Sequence, residues 1–164
     1  MTLKYEIKFL DYWHLGSGLS AGAKLDSTVT KDDEGIAYAS GKTIKGLARE
    51  MAEEFGDIEF LHQCYFENAT LDKTTHEEIE TNNLQNNLYD VIAFTKIEDG
   101  IAVDDSLREI EVVIPITLVG EILDIPSKDD CDKLLKSLKM IKRMGLNRNR
   151  GLGRCEFKEI ECKS

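Results

Sequence analysis

The sequence predicts an α+β domain with the element order β-α-β-β-α-β, and three observations predict it. Apolar and polar residues alternate at both ends of the chain, Leu3 to Leu10 and Glu156 to Cys162, the period-two signature of half-buried strands. Two segments between them carry helical periodicity behind a serine cap. The remaining apolar runs are short and interrupted by turn residues, as strands and loops are.

The elements follow in order. Leu3, Tyr5, Ile7 and Phe9 alternate with Lys4, Glu6 and Lys8 in a first strand that runs on into Tyr12-Trp13-His14. It breaks at Gly16-Ser17-Gly18, and residues 16–35 read as a long glycine-bearing loop with a short strand inside it. Ser40 to Gly56 is the first helix: Ile44, Leu47, Ala48, Met51, Ala52 and Phe55 form its apolar face, Ser40 caps it and Gly56 stops it. Asp57 to Leu71 holds a strand or two. Asp72 to Asn87 is polar and reads as a surface loop of low order. Tyr89–Ile97 and Ile110–Leu123 read as strands, with a hairpin or extended arm around Asp99-Gly100. Ser127 and Asp130 make a capping-box pattern, and Leu134, Leu135, Leu138 and Ile141 mark a second helix that ends at Gly145. This order is the ferredoxin-like (RRM-like) one with inserted loops. Both helices would cover one face of an antiparallel sheet, and the other face is one on which related sheets bind single-stranded RNA. The chain is read as one domain, 1–164, with an insertion and a thumb-like arm within 72–108.

Composition narrows the function. The chain has 164 residues, 41% hydrophobic and 32% charged, which fits a globular domain with a real core. No apolar run is long enough for a membrane span, and no signal-peptide core opens the chain, so a cytoplasmic protein without a membrane partner is expected. Four dispersed cysteines (Cys64, Cys131, Cys155, Cys162) form no Cys-x-x-Cys pair and lack zinc spacing with His14, His62 and His76. Free thiols and no structural zinc are expected.

Charge is unevenly placed. The chain carries 21 basic and 31 acidic residues, a net of −10, which argues against indiscriminate nucleic-acid binding. Yet Leu134 to Arg154 contains Lys136, Lys139, Lys142, Arg143, Arg148, Arg150 and Arg154 with no acidic residue at all. Within it, Gly145 to Arg154 is glycine-spaced. Such a loop suits a polyanion, because glycines let backbone N–H groups approach it closely. Lys42, Lys45 and Arg49 share one face near the start of the first helix, which suits a phosphate; a solvated face balanced by Glu50, Glu53 and Glu54 accounts for them equally well.

Three stretches together resemble one family: Leu15-Gly16-Ser17-Gly18 with Ala23 to Asp32, then Gly35 to Arg49 containing Ser40-Gly41-Lys42-Thr43-Ile44-Lys45-Gly46, and the tail loop Gly145 to Gly153. The sequence resembles the RAMP superfamily (repeat-associated mysterious proteins) of CRISPR type III effector complexes. Within it the likeness is to the repeated backbone subunit that grips the guide RNA. The resemblance extends through Ile97 to Ala102, where such subunits carry the thumb, and Ser106 to Glu111. Ala39 and Thr28 stand where the family commonly has proline.

The resemblance implies the following. Copies of the subunit, with other subunits of the complex, would line a guide crRNA and pair it with complementary target RNA. Asp26, in Leu25-Asp26-Ser27, matches the loop aspartate that cleaves target RNA with a divalent metal such as Mg2+. A loop aspartate capping a turn is the plainer reading of Asp26, and Asp32 and Asp33 are nearby alternatives. Lys42, Lys45 and Arg49 would meet guide phosphates from the helix. Arg148, Arg150 and Arg154, with Gly151, would hold the guide from the tail loop. Ser17 would contact RNA from the first loop, and Arg108 would lie at the base of the thumb. His14 is read as a packing or RNA-contact residue, although another branch of the superfamily uses a histidine to process guide precursors. Trp13 is read as buried rather than stacked on a base. Three other functions compete: a non-catalytic crRNA-binding subunit, a metal-independent guide-precursor-processing endoribonuclease, and a small-ligand regulatory domain of the same fold.

Overall fold

The computed structural model describes residues 1–16, 27–54, 56, 58–95, 97–99, 101–102 and 107–163. Its strands and helices are β1 (Thr2–Phe9), α1 (Gly41–Glu53), β2 (Tyr65–Phe66), α2 (Lys73–Thr81), β3 (Tyr89–Phe94), β4 (Ile97–Glu98), β5 (Ile101–Ala102), β6 (Arg108–Val113), β7 (Thr117–Leu123), α3 (Lys128–Met140) and β8 (Cys155–Lys163). The main sheet has the order β2-β7-β1-β8 and every pairing in it is antiparallel. With α1 between β1 and β2, and α3 between β7 and β8, its six elements follow the β-α-β-β-α-β order read from the sequence.

Period two sorts the β1 side chains. Leu3, Tyr5, Ile7 and Phe9 point into the core, where they meet Leu118 and Ile122 of β7 and Phe157 of β8. From the helix side, α1 contributes Ile44, Ala48 and Ala52, and α3 contributes Leu134 and Leu138. Each fully buried leucine or isoleucine here stabilises the fold by about 1.5–3 kcal/mol relative to exposure. Both expected caps are present. The Ser40 hydroxyl accepts the Thr43 N–H at 3.2 Å, and the Ser127 hydroxyl accepts the Asp130 N–H at 3.1 Å while donating to the Asp130 carboxylate. Among the described residues, one buried side-chain polar atom lacks a partner: the Tyr5 hydroxyl, lodged against Gly120, whose missing side chain makes the room.

On the opposite face of the sheet, Lys4 pairs with Glu121 at 3.2 Å and Lys158 with Glu6 at 3.7 Å. Register shifts on β8 between Lys4 and Tyr5, leaving Ile160 as the extra residue of a bulge.

Three other elements depart from the sequence reading. The stretch 110–123 is two strands, not one: Pro115, which has no N–H for a ladder, lies between β6 and β7, and these belong to different sheets. β6 pairs with β3 in a second sheet, beyond which β4 and β5 form the expected hairpin. Within 72–87, α2 replaces the expected loop. Asp72 caps it through the Thr75 N–H, and it buries no residue, so it shows no apolar period. The second helix ends at Met140 rather than at Gly145. Cys131 of α3 and Cys162 of β8 are disulfide-paired where thiols were expected, whereas Cys64 and Cys155 are free and buried.

Candidate nucleic-acid interface

The segment Tyr12–Gly16, which follows β1, organises the site. Trp13 exchanges two backbone hydrogen bonds with Val113 at the end of β6. Its ring is buried, stacked on Phe9 at 4.3 Å between centroids, with the indole N–H donating to the Ile114 carbonyl. It is a core residue, as expected.

His14 is wholly buried. Its Nδ1 lies 2.6 Å from the backbone carbonyl of Glu111 and its Nε2 lies 3.0 Å from the Ser27 hydroxyl. A carbonyl only accepts, so Nδ1 carries the proton and donates; in the neutral ring Nε2 accepts from Ser27. Both nitrogens are therefore used inside the protein, and direct RNA contact by His14 is corrected to a positioning role.

Glu111 of β6 completes this grip. Its backbone N–H donates to the Ser27 carbonyl at 3.1 Å, and its carboxylate accepts the Val29 N–H at 3.1 Å and the Lys31 ammonium at 2.7 Å. Lys31 in turn lies 3.9 Å from the centre of the Tyr89 ring, and the Tyr89 hydroxyl donates to the Gly35 carbonyl. Burial, with Glu111 nearby, holds the Tyr89 hydroxyl well above the ordinary phenol range. Asp26 and Ser17 lie outside the described residues, but the chain that leaves Asp26 is fixed from Ser27 to Lys31.

The tail loop docks on the same segment from the other side. The Gly153 N–H donates to the Tyr12 carbonyl at 2.8 Å, the Leu146 N–H to the His14 carbonyl at 2.9 Å, and the Leu10 N–H to the Arg154 carbonyl at 2.8 Å. Gly145 and Gly153 have positive φ, and a Cβ on either would strike a backbone carbonyl, that of His14 or of Met144. Their purpose is close chain packing, which corrects the reading of all these glycines as an anion cradle. Gly151 differs: it has φ 93° and open space around it. Leu152 anchors the loop into a small apolar cluster with Ile110 and Val112 of β6.

The cations separate into two groups. Arg148 and Arg150 ride on a short 3-10 turn of the tail loop, and the Arg148 carbonyl is held by Arg143. Arg154 is matched by Asp11, Nε to Oδ2 3.1 Å, so it offers little unbalanced charge. Arg108 opens β6 opposite Phe94, the last residue of β3, at the root of the β4–β5 hairpin. Lys42, Lys45 and Arg49 gather elsewhere, around a 290 Å³ hollow floored by Ile58 and Leu61 with His62 beside them. Lys45 donates to the Cys64 carbonyl at 2.8 Å and Arg49 pairs with Glu53 at 3.4 Å, and both Lys42 and Arg49 are exposed. Sequence reasoning missed Glu111, Ser27 and Lys31, which lie far from His14 in the chain or looked like ordinary loop residues.

Comparison with known proteins places this fold. No protein-family model matches the sequence, and no curated protein matches it. Among solved structures, the chain is similar to one from the cryo-EM structure of the type III-B Cmr-beta bound to cognate target RNA, with TM-score 0.72 and 11% identity over 97% of both chains. It is likewise similar to a chain from the apo state of type III-B Cmr-beta, with TM-score 0.71 and 12% identity over 98% of both. At such identity the likeness is one of fold, and over nearly its whole length the protein has the fold of these Cmr-beta chains.

Proposed function

We propose that the protein is a guide-RNA-binding backbone subunit of a CRISPR type III effector assembly that also cleaves complementary target RNA. The observation that carries this reading is the joining of two loops by one segment. The Tyr12–His14 backbone seats the tail loop that bears Arg148 and Arg150, while the His14 side chain holds Ser27, the residue after Asp26. A cationic loop and a carboxylate-bearing loop are thereby tied to one support. The whole-length likeness to a chain of an assembly bound to cognate target RNA supports the same class.

In this reading Arg148 and Arg150 grip guide phosphates, contacts that carry no sequence preference and suit a protein that must hold any guide. The hairpin rooted at Arg108 serves in this reading as the thumb that parts the duplex. Asp26 acts on the displaced target nucleotide, whose 2′-hydroxyl is the nucleophile: the hydroxyl gives its proton to the Asp26 carboxylate, its oxygen attacks phosphorus, the bond to the 5′ oxygen breaks with that oxygen taking a proton from solvent, and a 2′,3′-cyclic phosphate remains. A single carboxylate with phosphate oxygens is a donor set that suits Mg2+, which supplies charge neutralisation when bound. Asp32 is not an equivalent alternative for this step, since its Oδ1 is held by the Glu34 and Ile36 N–H groups and its Oδ2 faces the His76 imidazole. The enclosure of His14 speaks against a guide-processing nuclease that uses this histidine.

The test is the assembled particle with Asp26→Ala, given complementary RNA and Mg2+. Loss of periodic cleavage with guide binding retained is expected. Unchanged cleavage refutes the catalytic assignment, and an intact target with the wild-type particle leaves a structural subunit only.

A further inference from the structure

The geometry points to a divalent transition-metal site formed by Asp32, Glu34 and His76, separate from Asp26. Their ligand atoms, one from each side chain, all lie within 4.8 Å of one another. They come from two elements far apart in sequence. Asp32 and Glu34 sit on the tip of a hairpin closed by the Lys31–Ala37 bridge, and His76 sits in the first turns of α2.

The first two ligands are already arranged. Asp32 Oδ1 accepts the N–H groups of Glu34 at 3.1 Å and Ile36 at 2.8 Å, which turns Oδ2 toward the imidazole. Oδ2 and His76 Nε2 stand 2.9 Å apart. Two donors each about 2.1 Å from an ion, at about a right angle, stand about 3.0 Å apart, so an ion fits beside this pair with little movement. Binding replaces the hydrogen bond between them: Nε2 gives up its proton, the ion takes that place, and the neutral ring carries its proton on Nδ1. Glu34 is exposed at the rim and closes on the ion from the third side. Asp33, exposed on the same tip, adds negative charge without competing for the pair. Asp32 and His76 are each about one quarter exposed, so the ion has a way in.

The donor set selects the ion. One imidazole with two carboxylates suits Zn2+, a borderline ion, and after it Mn2+, better than Mg2+, which prefers oxygen alone and keeps its water. No cysteine is involved, so the spacing rules that argue against a cysteine–histidine zinc site do not apply. The bound ion would staple α2, which buries no residue of its own, to the hairpin that continues the chain from Ser27 and Lys31.

The experiment is calorimetric titration of the full chain carrying Asp26→Ala with ZnCl2 and with MnCl2, so that an ion at the proposed catalytic aspartate is not counted. One saturable ion per chain is expected, with affinity at least about tenfold lower in His76→Ala and in Glu34→Gln, whose exposed position leaves folding intact. Titration with Co2+ should give a visible spectrum without a thiolate charge-transfer band. Absence of saturable binding, affinity unchanged in both variants, or a thiolate band overturns the proposal and leaves Asp32 and His76 as a hydrogen-bonded pair only.

Discussion

The Ser27 hydroxyl lies 3.0 Å from His14 Nε2, across a fully buried imidazole whose other nitrogen meets the Glu111 carbonyl. Three segments separate in sequence thus converge on one ring. His14→Ala strands the hydroxyl and the carbonyl and opens a cavity, at a cost of about 2–3 kcal/mol. Ser27→Ala, which removes only one neutral hydrogen bond, costs about 1 kcal/mol. Urea denaturation of both variants and the double variant checks this; the double variant should lose less than the sum.

The tail-loop glycines should rank by what their Cβ would meet. Gly145→Ala and Gly153→Ala each force a methyl into a backbone carbonyl at positive φ, and should cost more than about 2 kcal/mol. Gly151→Ala meets open space and carries only the left-handed strain of about 1 kcal/mol. Melting curves of the three variants give the ranking.

Salt dependence separates the arginines. Arg148→Ala and Arg150→Ala should each lower the slope of log affinity for single-stranded RNA against log salt by about 0.7. Arg154→Ala should change it much less, because Asp11 already balances that guanidinium. For the same reason Asp11→Asn should strengthen RNA binding at low salt.

The free thiols give a pH signature. Burial pushes the Cys155 thiol up to about 12, with Lys142 opposing, and burial likewise raises Cys64. The folded state therefore keeps protons that an unfolded chain gives up from about pH 8.5. Their contribution to stability is complete below that pH and is lost as the pH climbs toward the folded value. Alkylation of Cys64 and Cys155 by iodoacetamide at pH 8 should be slow in the native protein and fast in urea; rapid native labelling would contradict this burial.

The sequence carried the local signals and not the distant ones. Ser40 and Ser127 announced both core helices because a cap and an apolar face lie within one stretch of chain. α2 escaped notice because a helix that buries nothing has no apolar stripe. The apolar run from 110 to 123 hid its break, since strands on either side of Pro115 look alike until their partners are known. The tail-loop arginines were legible as charges among glycines. His14 was legible only as a residue to weigh, because its partner Glu111 is 97 residues away. The tail glycines suggested an anion cradle, while two of them serve contacts with the chain itself.

Pro115 gives β6 a mechanical position. The strand is released from the main sheet at its far end, carries Arg108 at the root of the hairpin at its near end, and holds Ser27 from Glu111 in between. Three residues of extended chain, about 10 Å, separate root from grip. The root of the hairpin and the grip on Ser27 therefore share one strand, and their spacing is set by β6 alone.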